Sequence, residues 1–134
     1  MRVFLDANIV MYAAGRAHPH KEPAIRLLRQ VVQGECQAIS DTEMLQELLY
    51  RYWHVKLLEE GLRLVDQAIQ IIPLVLPVAK ADVLLAKDLM TQHPAVPPRD
   101  AVHAAVMLNH GITHLYSYDH HFDAIPGLKR LEPS

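Results

Sequence analysis

The chain has 134 residues, 51% of them apolar, which is the size of one ordinary domain with enough apolar side chain to pack a core. A formal net charge of −2 excludes the strongly basic surface of a general polyanion-binding module. The same balance is compatible with an acidic site that binds phosphate through a divalent cation, which then supplies the positive charge.

The apolar start of the chain is broken by Asp6 at the sixth position, too early for a signal peptide, so secretion is not expected. The uncharged stretch from Gln67 to Ala79 carries two prolines and falls short of the roughly 20 residues a membrane helix needs. The single cysteine, Cys36, can make no internal disulfide, and a cytoplasmic protein held by packing alone is the expectation.

In chain order, Arg2 to Leu5 reads as a short strand that ends in Asp6, and Ala7 to Ala14 suits one or two helical turns. Pro23 to Val32 sets Ala24, Leu27, Leu28, Val31 and Val32 at helical spacing, with Gly34 as the stop. Cys36 to Ile39 suits a second strand. Ser40-Asp41-Thr42-Glu43 then matches the Ser-x-x-Glu capping box and predicts a helix from Asp41 to His54. That helix carries an apolar stripe of Met44, Leu45, Leu48, Leu49 and Tyr52, so Glu47 lies beside the buried face. The pattern continues with a helix over Leu57–Ile71, an extended piece over Pro73–Pro77 and a helix over Ala79–Met90. The proline-rich loop Thr91–Pro98 places Asp100 in the first turn of a helix ending near Asn109, before Gly111. Thr113–Ser117 alternates as a strand, Tyr118–Phe122 reads as a polar loop, and Leu128–Leu131 suits a last edge strand. Strands alternating with helices predict one α/β domain over residues 1–134, with a central parallel sheet of four or five strands flanked by helices. Sites in such folds lie at the carboxyl ends of the strands.

Four acids occupy comparable places: Asp6 after the first strand, Glu47 on an inner helix, Asp100 at a helix start and Asp119 after a late strand. Each has an ordinary explanation taken alone. Asp6 suits a helix cap, Glu47 a solvated helix face, Asp100 a complement to the helix dipole, and Asp119 a loop acid. Brought together they would repel one another and resist ionisation unless a divalent cation neutralised them. An all-oxygen set with no evident cysteine or histidine ligand motif suits Mg²⁺ or Mn²⁺ better than zinc. Such an ion polarises phosphate oxygens and acidifies water, which makes phosphodiester hydrolysis the natural reaction class.

Phe4-Leu5-Asp6-Ala7-Asn8, Ser40 with Glu47-Leu48-Leu49, Arg99-Asp100-Ala101-Val102-His103-Ala104-Ala105, and Ser117-Tyr118-Asp119-His120-His121-Phe122-Asp123 form a specific set over nearly the whole length. In these motifs the chain resembles the PIN-domain ribonucleases, most closely the VapC-type toxins of type II toxin-antitoxin systems. The resemblance implies a three-layer PIN-like domain and an endoribonuclease leaving a 5′-phosphate and a 3′-hydroxyl. It also implies Mg²⁺ or Mn²⁺ held by Asp6, Glu47, Asp100 and Asp119, a homodimer, and a small antitoxin that silences the site. Asn8 and Ser117 take the places of residues that orient the first and last acids, Ser117 standing where the family more often has Thr. Asp123 is either an auxiliary acid or a partner in a structural pair. Two rivals keep the fold: a housekeeping RNA-processing nuclease without an antitoxin, and a binding protein with an inactive site.

Glu43 receives a structural role only, from its spacing to Ser40. The nine histidines are read as non-ligands. His120 and His121 adjoin Asp119, Gly111 separates His110 from His114, and His103 either touches substrate or packs in the core. Arg99, Arg51 and Lys56 are candidates for RNA phosphates or plain surface charges. Tyr50, Tyr52 and Trp53 suit a core edge or a protein interface better than a base-stacking platform.

Overall fold

The computed structural model describes residues 2–134. Five strands form one all-parallel sheet: β1 (Arg2–Leu5), β2 (Gln37–Asp41), β3 (Leu74–Leu76), β4 (His114–Tyr116) and β5 (Lys129–Leu131), in the spatial order β3-β2-β1-β4-β5. Six α-helices accompany it: α1 (Ala7–Ala14), α2 (Lys21–Val32), α3 (Thr42–His54), α4 (Leu58–Ile71), α5 (Lys80–Gln92) and α6 (Pro98–Asn109). This is the three-layer α/β architecture that the alternation of patterns predicts.

The strand period of two decides the layers. From β1, Val3 and Leu5 enter one apolar cluster with Ile9 of α1, Leu27 of α2, Met44 and Leu48 of α3, and Leu64 of α4. Phe4 between them points to the other face and packs with Ile39, Leu115, Phe122 and Met107 of α6. All three β1 side chains are fully buried. A strand covered on both faces has no polar alternation to show, which is why it reads as a continuous apolar run.

The strand order reverses around β1, since β2 and β3 lie on one side and β4 and β5 on the other. Helices therefore diverge at this point, and a crevice opens beyond the carboxyl ends of β1 and β4. The register Leu5↔Tyr116 continues into a bond from Asp6 N to Tyr116 O of 3.1 Å, so Asp6 and Ser117 leave the sheet side by side.

Three expectations are corrected. The capping box is absent: β2 runs through Ser40, whose hydroxyl donates to the carbonyl of Leu5 at 2.8 Å, and the cap of α3 is Asp41, accepting from Met44 N at 3.0 Å. Glu43 thus loses the structural role its spacing suggests. Helix α2 starts at Lys21, ahead of Pro23, because proline is tolerated within a first turn. The supposed polar loop after β4 contains a short 3-10 helix, His120–Ala124, capped by Asp119, and it drives Phe122 completely into the core. The polar neighbours of Phe122 mask that anchor in the sequence. Among the described residues no helix is long and apolar enough to cross a membrane.

Candidate metal centre

Asp6 caps α1, with Oδ1 accepting from Ala7 N at 2.7 Å, while Oδ2 accepts from the Ser117 hydroxyl at 2.7 Å and faces Asn8 Nδ2 at 3.4 Å. The cap reading of Asp6 is formed, and its carboxylate also lies grouped with Glu47 and His103. Ser117 is completely buried and also accepts from Asn8 Nδ2 at 3.2 Å and from Asp119 N at 3.0 Å. One hydroxyl thus ties the ends of β1 and β4 together.

Glu47 enters from α3, where its burial beside Met44 and Leu48 follows from the helical stripe. Its Oε1 lies 2.9 Å from Arg99 Nε, and its buried Oε2 has no hydrogen-bond partner among the described residues. Arg99, a sequence candidate for phosphate contacts, is paired with this acid while keeping 41% of its side chain exposed. Below them sits His103 of α6, fully buried, its Nδ1 2.7 Å from Asp41 Oδ2. Its Nε2 lies 3.7 Å from Asp6 Oδ1 and 3.9 Å from Glu47 Oε2. His103 packs in the core, against Phe4 with ring centroids 5.2 Å apart, and faces the acids at the same time.

Asp100 stands in the first turn of α6, which opens with Pro98, and only 4% of its side chain is exposed. Asp119 reaches towards it from the turn after β4. His121 joins them, with Nδ1 2.7 Å from Asp119 Oδ1 and 3.3 Å from Asp100 Oδ2, which corrects its reading as a bystander. His120 does not join: it contacts Asp123 at 3.4 Å and Arg130 at 3.0 Å. Asp123 is half exposed and pairs with Arg130 Nε at 3.0 Å, and Arg130 also donates to the Ser117 carbonyl at 2.9 Å. Of its two sequence readings, the structural pair is the one formed.

The centre consists of two adjoining knots. Asp6, Glu47 and His103 offer ligand atoms within 4.8 Å of one another, and Asp100, Asp119 and His121 do the same. Electrostatics joins the two. Burial pushes the Asp100 carboxyl up to about 8, with further upward pressure from its hydrogen bond to Asp119 and the charges of Asp6 and Asp119. Burial also raises Asp6, against the opposing pull of His103 and the Ser117 hydrogen bond. Burial would raise Asp119 too, but the bonds from Asp100 and His121 N, helped by the charges of His121 and Arg99, hold it below the ordinary carboxylate value. For His103 burial disfavours the charged ring, and the hydrogen bond to Asp41 with the nearness of the Glu47 and Asp6 carboxylates overcomes this and raises it well above 6.5. The upward shifts of Asp100 and His103 both favour bound protons, which lessen the repulsion among the crowded acids. The orphaned Glu47 Oε2 and the hard oxygen donors fit a divalent cation.

Sequence reasoning missed Asp41 altogether, and the spacing of Asp41 from His103, on β2 and α6, gives no local signal. An apolar groove of about 360 Å³ lies elsewhere, between α1, α2 and α4. A second cavity of about 490 Å³ adjoins Asn8 and is lined by Tyr12, Arg16, His18 and Arg51.

A parallel sheet in this order, with acids gathered at the switch-point edge, defines an α/β domain whose acidic cluster has the donor set for a divalent cation. The chain matches the family model for the PIN domain over residues 3–128 and belongs to the PIN-domain family. It is 41% identical over 129 residues to Ribonuclease VapC13 of Mycobacterium tuberculosis, covering 96% of this chain and 98% of that protein. To Ribonuclease VapC23 of the same organism it is 35% identical over 121 residues, covering 88% and 93%. The solved structure of M. tuberculosis VapC20, described as a sarcin-ricin loop cleaving toxin, superposes with a TM-score of 0.78 at 18% identity, over 98% of this chain and 99% of that one.

Proposed function

We propose that this chain is a metal-dependent endoribonuclease, the toxin of a type II toxin-antitoxin pair, with Asp6, Glu47, Asp100 and Asp119 as its catalytic metal ligands and Mg²⁺ or Mn²⁺ as the cofactor. The observation that carries the reading is the convergence of these acids, from four separated parts of the chain, into two adjoining groups, one of which holds a buried Glu47 oxygen with no hydrogen-bond partner among the described residues. Relatives at 41% and 35% identity named as ribonucleases support RNA as the substrate.

When bound, the ion supplies Lewis acidity, neutralising phosphate charge and making water acidic. The protein's part is orientation. Ala7 N and the Ser117 hydroxyl fix both oxygens of Asp6, and Arg99 lies in ion-pair contact with one oxygen of Glu47 while the other stays buried and unpartnered among the described residues. Arg16 and Arg51, in the cavity beside Asn8, are placed to hold flanking phosphates, a role that contributes affinity and register rather than sequence choice. The chain's mild negative charge accords with a cation-filled site rather than a basic face.

An antitoxin partner is supported by structural neighbours such as the VapBC2 complex of Rickettsia felis, with a TM-score of 0.77 at 18% identity and full coverage of both chains. We assign the exposed Tyr50, Trp53, Val55 and Leu57 to a homodimer contact.

The test is cleavage of total cellular RNA by the wild type, Asp6→Ala and Asp100→Ala, each with Mg²⁺, with Mn²⁺ and with chelator. Cleavage by the wild type alone, and only with metal, is expected. Equal cleavage by all three proteins, or cleavage in chelator, rejects the assignment.

A further inference from the structure

We propose that His103 is itself a ligand of the cation, through Nε2, with Asp41 behind it as a positioning residue, and that the centre therefore prefers Mn²⁺ to Mg²⁺. This rests on the metal-site reading above and adds a nitrogen donor that the acidic motifs do not announce.

A histidine with no exposed surface needs a partner for each ring nitrogen. His103 has one for Nδ1, the carboxylate of Asp41 at 2.7 Å, and none for Nε2 among the described residues. Its nearest acids, Asp6 Oδ1 at 3.7 Å and Glu47 Oε2 at 3.9 Å, are beyond hydrogen-bond reach. Glu47 Oε2 is orphaned as well, so two unpartnered buried atoms face each other across this gap. A cation about 2.0–2.3 Å from each ligand spans such a separation, where a hydrogen bond does not.

Asp41 makes the arrangement rigid. It is fully buried, and its other oxygen accepts from Met44 N at 3.0 Å as the cap of α3, so the carboxylate cannot turn away. Held by Asp41, Nδ1 keeps its hydrogen and Nε2 presents its lone pair once the ion takes the place of the proton there, which leaves to solvent. This is the carboxylate–histidine–metal arrangement that raises ligand basicity and fixes ring orientation. His121 differs on each count: it is about half exposed, and its Nδ1 already lies 2.7 Å from Asp119. Magnesium strongly prefers an all-oxygen shell, so one imidazole shifts preference towards first-row transition ions.

Pulsed electron paramagnetic resonance of Mn²⁺ bound to the full chain tests this without reference to activity. The wild type and His121→Gln should both show nitrogen hyperfine coupling. His103→Gln should still bind Mn²⁺ through the acids, about tenfold or more weakly, with the coupling gone and the Mn²⁺-over-Mg²⁺ preference reduced. Wild-type protein that binds Mn²⁺ without nitrogen coupling overturns the proposal and leaves the carboxylate site standing, as does loss of the coupling in His121→Gln. If His103→Gln fails to fold, the other two spectra decide, because His121 is the other imidazole grouped with these acids. Wild-type protein that binds no divalent ion rejects the metal-site reading and this inference together.

Discussion

Replacing Asp100 by Asn turns the crowding of the acids into a measurable stability. In the folded protein without metal, burial, Asp119 and Asp6 push Asp100 up to about 8 from an ordinary 3.8. The unfolded chain has released that proton above about pH 4. Between pH 5 and pH 7 the folded state thus binds one proton more than the unfolded state, and stability must fall as pH rises. One proton corresponds to about 1.4 kcal/mol per pH unit, or roughly 3 kcal/mol over this window. The raised Asp6 acts with the same sign, as does His103 above its unfolded value near 6.5. Asp119 opposes them, since its depressed carboxyl contributes stability that is lost only as pH falls below its ordinary 3.8. Urea unfolding followed by circular dichroism, in chelator at pH 5, 6 and 7, should show the wild type weakening and Asp100→Asn weakening much less. At pH 7 the variant should be the more stable protein. Excess Mn²⁺ should restore the wild type and leave the variant nearly unchanged. Wild-type stability that stays flat or rises over this window, or an equal slope in the variant, refutes the reasoning.

Ser117→Ala removes the donor to Asp6 and the acceptor for Asn8 and Asp119 N from a fully buried position, and should lower stability by about 2–4 kcal/mol in urea titrations. RNA cleavage should fall with it, since Asp6 loses its anchor, and an unchanged rate would deny Ser117 an orienting role. Gly61→Ala, where α4 packs on α3, would set a new methyl 2.6 Å from Tyr52 Cβ. That overlap should cost about 1–3 kcal/mol despite alanine's better helix propensity, and a rise in melting temperature would show that the helices can separate freely.

The fold was legible because its determinants are local. The apolar run Val3–Leu5 of β1, amphipathic helices and well-placed prolines and glycines state their own periods. The places of the four acids were legible for a related reason, as Asp6 and Asp119 follow strand ends, Asp100 opens a helix and Glu47 lies beside a buried helical stripe. What connects them was not. Asp41 passes in sequence as part of a cap motif, and Ser40 as the cap itself, because a strand extended by two residues looks the same as a helix start until its neighbour is known. Only the pairing of β2 with β1 puts the Ser40 hydroxyl on the Leu5 carbonyl. His103 likewise sits at a position whose helical pattern says buried, and its partners come from β2, α3 and the end of β1. Phe122 shows the opposite failure, a single apolar side chain hidden among histidines and acids that turns out to anchor the turn holding Asp119.

The most direct measurement of the central claim is the anomalous scattering of crystals soaked in Mn²⁺. Manganese should lie within the ring of Asp6, Glu47, Asp100 and Asp119. Saturating Mn²⁺ that leaves this ring empty, or that occupies only a different surface, would contradict the account.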